Sequence, residues 1–163
     1  MLFVSLLHST LGILTLSLLL ATYWLHIKAW DWMLTLALIV PVGMLLNVLL
    51  KSIFQRARPT FDVPLLTLSS YSFPIGHAAA ATLFYGVLTA WLICSTNSLR
   101  WRIFIATLAS LLVALVGLRR IYLGVHYLSD VLAAMAASGA WLALILTATD
   151  AWRRRRRLEQ TKQ

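Results

Sequence analysis

The sequence of 163 residues has few acidic residues, little charge of any kind and almost no cysteine. Only 5 residues are Asp or Glu, and charged residues make up 12% of the chain, about half the share found in soluble domains. This leaves little material for a carboxylate-rich metal centre. The single cysteine, Cys94, excludes an internal disulfide and any metal site built from several cysteines. Because 61% of the residues are hydrophobic, a disordered chain and an ordinary soluble globule are excluded as well.

Five apolar stretches are long enough to cross a membrane, which takes about 20 mostly apolar residues in a helix. They cover residues 2–25, 32–50, 78–95, 103–118 and 131–149. A helix satisfies its own backbone polar groups in lipid, so the sequence predicts an all-α, polytopic transmembrane helix bundle of about five spans. We predict one membrane domain over residues 1–152, followed by a basic tail over residues 153–163. The first stretch lacks the basic opening of a signal peptide, and we interpret it as a retained helix.

The basic residues are distributed unevenly along the chain, with 14 Lys and Arg against 5 acidic residues and a net charge of +9. Basic loops of membrane proteins favour the cytoplasm, so the Arg153–Arg157 run is predicted to be cytoplasmic, as a topology anchor rather than a nucleic-acid site. Alternation of the spans then places the N-terminus outside. Five basic residues fall on the outer side against this rule: Lys51, Arg56, Arg58, Arg119 and Arg120. An anionic ligand on that side would explain them.

Two of these cations form a candidate phosphate clamp. Lys51 and Arg58 are seven residues apart, so they would share one face of a continuing helix, which Pro59 would then end. An ammonium and a guanidinium at a helix end suit a phosphate. The alternative is that both side chains only reach for lipid headgroups.

A second candidate is the turn from Ser72 to His77, which leads into the third span. Pro74 and Gly76 punctuate this turn, and the small residues Ala78–Ala81 follow. The N–H groups and the dipole of a helix N-terminus favour an anion, and His77 would lie at that opening. His77 could equally be a buried, hydrogen-bonded histidine.

The third candidate is the pair His126 and Asp130, four residues apart at the start of the fifth span. A carboxylate that accepts from one ring nitrogen fixes the histidine tautomer and leaves the other nitrogen able to attack an electrophile. A purely structural pair is possible. A metal site formed by His77, His126 and Asp130 is a competing interpretation, but the nearby cations would repel a divalent ion.

Together these segments resemble the type 2 phosphatidic acid phosphatase superfamily of membrane phosphatases. Its signature has three parts in order: Lys-x6-Arg-Pro, Pro-Ser-Gly-His and Ser-Arg-x5-His-x3-Asp. The corresponding segments here are Lys51-x6-Arg58-Pro59, Pro74-Ile75-Gly76-His77 and Arg119-Arg120-x5-His126-x3-Asp130. The resemblance covers about residues 30–150.

The resemblance implies a role for each matching residue. His126 would attack phosphorus and become a phosphohistidine, Asp130 would orient it, and His77 would protonate the leaving oxygen. The groups that hold the phosphate would be Lys51, Arg58, Arg120 and the backbone N–H of Gly76. No metal or other cofactor is implied, because phosphoryl transfer depends mainly on positioning and on stabilising oxygen charge.

Three departures from the family pattern bear on activity and substrate. Ile75 replaces a serine whose hydroxyl would help to hold phosphate, and Arg119 replaces a serine and adds a cation that would favour a diphosphate. The family core is described with six helices, against the five predicted here, and the missing one would precede the first motif.

The resemblance implies a metal-independent phosphatase acting on a lipid at the outer face of a bacterial inner membrane. The leading expected substrate is an isoprenoid carrier diphosphate of the undecaprenyl type, followed by phosphatidylglycerophosphate and phosphatidic acid. Because of Ile75, the alternative is a catalytically weakened protein that binds lipid phosphates. The expected partners are the bilayer and the lipid, not nucleic acid.

Overall fold

The computed structural model describes residues 8–54, 73, 75–122 and 127–160, which form five helices joined without any strand. The helices are α1 Thr10–His26, α2 Trp30–Phe54, α3 Gly76–Cys94, α4 Leu99–Tyr122 and α5 Leu128–Gln160. The prediction of an all-α bundle is confirmed.

Four of the helices, α2 to α5, are long and apolar enough to cross a membrane. The described helix α1 has 17 residues and is shorter than a typical span. The first predicted span began at residue 2, and residues 1–7 lie outside the described part of the chain.

Helix α5 is much longer than the predicted span, because it continues through the basic segment to Gln160. Arg, Leu, Glu and Gln are all good helix formers, so nothing in this segment ends the helix. Arg154 and Asp150, one helical turn apart, form an ion pair of 2.8 Å that helps to stabilise this part of the helix, and Arg156 lies over the ring of Trp152. The basic segment is therefore largely helical rather than an irregular tail.

Helix α3 occupies the centre of the bundle and packs against the other four helices. Its first turns carry the small residues Ala78–Ala81, all of them buried, and small side chains let helices in lipid approach closely. Further along, Leu83 and Val87 join the main apolar core with residues of α1 and α2. The central position of α3 fixes where its N-terminus lies relative to the ends of its neighbours.

Gly43 marks the point where α2, α3 and α5 converge. A Cβ atom at this position would lie 2.7 Å from Leu83 Cδ1 and 2.9 Å from Trp141 Cδ1. Nearby, Trp141 Nε1 donates to the carbonyl of Leu38 at 3.3 Å, one turn before Pro41. Helices α2 and α5 are thus held in close contact near the middle of their length.

A tight turn joins α1 to α2. Ala29 N–H donates to Trp24 O at 2.8 Å, and Lys28 N–H donates to Leu25 O at 3.1 Å, the pattern of a Schellman motif. Lys28 has φ 57°, the left-handed conformation that this motif requires and that glycine adopts most easily.

The same end of the bundle is fastened by Arg153 of α5. Its Nη2 donates to Thr35 Oγ1 at 2.7 Å and to Asp31 O at 3.0 Å, and its guanidinium lies 4.2 Å from the ring centroid of Trp32. The first turns of α2 and the last turns of α5 are therefore joined. We call the other end, where α2 and α4 finish and α3 and α5 begin, the site end.

Candidate active site

An apolar cluster joins three helices at the site end. Ile75, Ala78 and Ala79 at the start of α3 pack with Val131 and Ala134 at the start of α5, and Ile121 of α4 packs against them. Gly117 of α4 also faces Val131 closely, since a Cβ there would lie 2.6 Å from its Cγ1. The end of α4 and the starts of α3 and α5, which carry predicted site residues, are therefore neighbours.

The N-terminus of α3 begins at the second predicted motif. Ile75 is the N-cap residue, with φ −80° and ψ 113°, and its side chain makes no capping hydrogen bond. Gly76 and His77 are the first two helical residues, and both are partly exposed. The first intrahelical bond runs from Ala79 N–H to Ile75 O at 3.0 Å. The backbone N–H groups of the first turn of α3, which precede this bond, and the helix dipole give this end a positive potential.

Asp130 is fully buried in the first turn of α5. Its Oδ2 accepts from the backbone N–H of Tyr127 at 3.1 Å, while Asp130 N–H donates to Tyr127 O at 3.0 Å. The bond from Tyr127 N–H to the Asp130 side chain is one of the two hydrogen bonds of a capping box, and it holds the carboxylate in place. The carboxylate is thereby held at the backbone of Tyr127, the residue that follows His126 in the chain.

Lys51 of the first motif and the two arginines of the third motif lie on helix ends at the same side of the bundle. Lys51 is in the last turn of α2 and is partly exposed. Arg119 and Arg120 are in the last turn of α4, and the side chain of Arg119 is partly exposed. The start of α3 lies against α2 here, because a Cβ on Gly76 would be 3.7 Å from Asn47 Oδ1, one turn before Lys51.

Several predicted site features fall outside the described residues. They are the positions of Arg58 and His126 and the side chain of Arg120. The clamp between Lys51 and Arg58 and the pair between His126 and Asp130 therefore stay predictions. The competing three-ligand metal site includes His126 and stays a prediction too. Within the described ranges, no three His, Cys, Asp or Glu side chains come together.

Two polar residues near the site were not predicted from the sequence. Asn47 and Ser138 are both buried, at 7% and 6% exposure. Both line a groove between α2 and α5. The sequence did contain a signal for Asn47, which is an amide inside an otherwise apolar span, one turn before Lys51. Polar groups at membrane depth generally have a function.

Comparison with known proteins gives a consistent family assignment. The pattern of the PAP2 superfamily matches residues 28–154, most of the chain. Phosphatidylglycerophosphatase B of Bacillus subtilis (strain 168) is 40% identical over 106 residues. That match covers 64% of this chain and 51% of the relative, so the chain spans about half the length of that protein.

Two solved structures share the fold. The transmembrane PAP2 type phosphatidylglycerolphosphate phosphatase of Bacillus subtilis superposes with a TM-score of 0.80 at 31% identity. The alignment covers 91% of this chain and 74% of that one. Aquifex aeolicus LpxE superposes with a TM-score of 0.62 at 24% identity, covering 85% of each chain, and supports the fold alone.

Proposed function

The chain belongs to the PAP2 superfamily, and from this we propose that it is an integral membrane phosphatase that hydrolyses a lipid phosphate or diphosphate without a metal ion. The observation that supports the proposal is that the described parts of the three signature segments lie at one end of the bundle. The ends of α2 and α4 bring basic residues, and the starts of α3 and α5 bring His77 and the buried Asp130.

In the proposed mechanism, cations hold the phosphate while a histidine attacks it. The phosphate oxygens would be bound by Lys51, Arg58, Arg120 and the N-terminus of α3. His126 attacks phosphorus and forms an N–P bond as the bond from phosphorus to the leaving oxygen breaks. His77 donates a proton to that oxygen, and water then attacks the phosphohistidine to release inorganic phosphate and free His126. Such a site acts by positioning and charge stabilisation.

Asp130 would keep His126 ready for attack. A buried carboxylate next to an imidazole holds one tautomer and stabilises the positive charge that forms on the ring. The support for this role is that Asp130 is fully buried and already held by the N–H of Tyr127. A carboxylate fixed in this way loses little entropy when it orients its partner.

Two substrate classes remain in competition. The isoprenoid carrier diphosphate expected first from the sequence is supported by the extra cation Arg119, because a diphosphate carries more negative charge. Phosphatidylglycerophosphate is supported by the name of the 40% identical relative. Phosphatidic acid, which has a similar glycerol backbone, follows it.

The proposed orientation places the site at the outer face of a bacterial inner membrane, with the C-terminus in the cytoplasm. The support is the basic run Arg153–Arg157, which would otherwise have to be translocated. The lipid headgroup would then enter from the outer leaflet.

A second candidate is a weakened protein that binds lipid phosphates without turning them over efficiently. The observation in its favour is Ile75, which provides no side-chain hydroxyl at the start of α3. Loss of one such donor costs about 2.7–4 kcal/mol in comparable anion-stabilising sites.

The proposed function is tested by phosphate release from lipid phosphates in detergent, measured both with and without a chelator. We expect release by the unmodified protein and a loss of at least about 10³-fold in His126→Ala, because the nucleophile is removed. The matched control is His26→Ala, which removes an exposed histidine at the opposite end of the bundle and should keep its activity.

Trapping of ³²P from a labelled lipid on the protein, at short reaction times and with a denaturing quench at alkaline pH because phosphohistidine is acid-labile, would identify the intermediate, and His126→Ala should trap none. The metal-free mechanism is wrong if the chelator alone abolishes release. If no lipid phosphate is hydrolysed but lipid phosphates still bind, the weakened protein is the correct description.

A further inference from the structure

A groove of about 320 Å³ opens between α2 and α5 close to the site end. Its walls are mostly apolar, and the larger side chains in them are Leu46, Leu50, Trp141 and Leu144. Such a surface suits a lipid chain, but by itself it carries no information about which lipid.

Two polar side chains interrupt this apolar wall, Asn47 from α2 and Ser138 from α5. Both are more than nine-tenths buried. Within the part of the chain that the structure describes, neither side chain makes a hydrogen bond. Thr147 and Thr149, on the same helix as Ser138, instead donate to carbonyls of their own helix. Among the described residues, the buried side-chain atoms without a hydrogen bond are Trp24 Nε1 and Arg153 Nε, so the polar atoms of Asn47 are accessible from the groove. A lipid that displaces water from the groove would leave this amide unpaired unless the lipid itself forms a hydrogen bond with it.

The two polar side chains lie at similar depth on opposite walls. Helices α2 and α5 run in opposite directions and touch where Gly43 meets Trp141. Towards the site end, Asn47 is about 6 Å beyond that contact along α2, and Ser138 is about 4.5 Å beyond it along α5. Lys51 lies about another 6 Å along α2. A phosphate held by Lys51 would therefore place the next segment of its lipid beside Asn47.

We propose that Asn47, with Ser138 opposite, is a specificity-determining residue that hydrogen-bonds an oxygen of the lipid below its phosphate. This rests on the proposed function, because Lys51 must hold the phosphate. Glycerophospholipids carry ester carbonyl oxygens a few bonds from phosphorus, and both the amide N–H and the serine hydroxyl can donate to them. An isoprenoid phosphate has no oxygen beyond its phosphate, so it would leave both buried groups without a partner. Sites with buried polar groups reject ligands that cannot pair them.

The test is the ratio of kcat/KM for dioctanoyl phosphatidic acid to that for farnesyl phosphate, measured in the same detergent. Asn47→Leu keeps similar bulk and removes the amide. We expect the ratio to fall about three- to tenfold, as for one lost hydrogen bond. Ser138→Ala should lower this ratio about two- to threefold. If Asn47→Leu fails to fold, the ratio measured for Ser138→Ala alone tests the proposal.

The matched controls are Val48→Leu, which changes the exposed neighbour of Asn47 on α2, and Thr147→Ala, which removes an exposed hydroxyl from α5. Both should keep the ratio of the unmodified protein. A ratio unchanged within about twofold in folded Asn47→Leu and in Ser138→Ala overturns the proposal.

A second readout separates this proposal from the proposed function. If the unmodified protein releases no phosphate from either lipid, the proposed function fails, and the two lipids are compared by the rise in Tm that each produces. A greater rise with phosphatidic acid, lost in Asn47→Leu, supports the role of Asn47. If Asn47→Leu reduces the rise in Tm equally for both lipids, the role of Asn47 is overturned.

Discussion

Ile75 has two consequences for the molecule, one for packing and one for chemistry. It is only 1% exposed and packs between the starts of α3 and α5, so its bulk helps to hold the site end together. At the same time it occupies an N-cap position, where serine is strongly preferred because its oxygen can accept from the first turn. The residue thus supplies apolar contact at a position where a hydroxyl would serve the helix end and the phosphate.

We predict that Ile75→Ser increases phosphate release several-fold per folded molecule while lowering stability. The hydroxyl adds a donor near the phosphate, whereas the lost apolar contact costs about 2–4 kcal/mol of unfolding free energy. Ile75→Ala is the control, since it loses the same contact without adding a hydroxyl. Initial rates and Tm in detergent measure the two effects, and equal rates for the two variants would contradict the catalytic part.

At the scale of helices, hydropathy was sufficient to predict the long elements. The stretches 32–50 and 78–95 correspond to α2 and α3, because apolar runs of this length have no alternative in lipid. The ends were less predictable. Helix α5 extends to Gln160 because polar helix formers continue it beyond the apolar region, and hydropathy does not register them.

The groove between α2 and α5 could not be predicted from the sequence, for a different reason. Asn47 and Ser138 are 91 positions apart, and their common depth follows from the contact of Gly43 with Trp141. No local pattern specifies such a contact between helices. The common end of His77 and Asp130, by contrast, was predicted from the sequence, because two predicted spans separate them in the chain and so return it to the same side of the membrane.

The turn between α1 and α2 yields a prediction on stability. Lys28 has a left-handed backbone, which costs residues with a Cβ more than it costs glycine. Lys28→Gly should raise the unfolding free energy by about 0.5–1 kcal/mol, seen as a higher Tm in detergent. Lys28→Ala also removes the charge but retains Cβ, so it should bring no gain. An equal rise in both variants would assign the effect to charge instead.

For the whole molecule, the topology provides a test that uses the only cysteine of the sequence. Cys94 ends α3 and is exposed, at the end of the bundle opposite the site. The proposed orientation, with the site on the outer face, places Cys94 on the cytoplasmic side, so a membrane-impermeant maleimide should leave it unlabelled in intact cells. Asp62→Cys in a Cys94→Ser background lies in the segment between α2 and α3 and should be labelled. The reverse pattern would place the site on the cytoplasmic side.

The Arg153 contact has a consequence for the order in which the bundle is assembled. It joins α5 to Asp31 and Thr35, which precede it by about 120 positions in the chain. During synthesis α5 emerges after the other four described helices. The start of α2 therefore enters the membrane before Arg153 is available to contact it. Until then Thr35 and the neighbouring carbonyl lack their guanidinium partner. The contact of Arg153 with the start of α2 is therefore one of the last to form during synthesis, and a chain that ended before residue 153 would lack it.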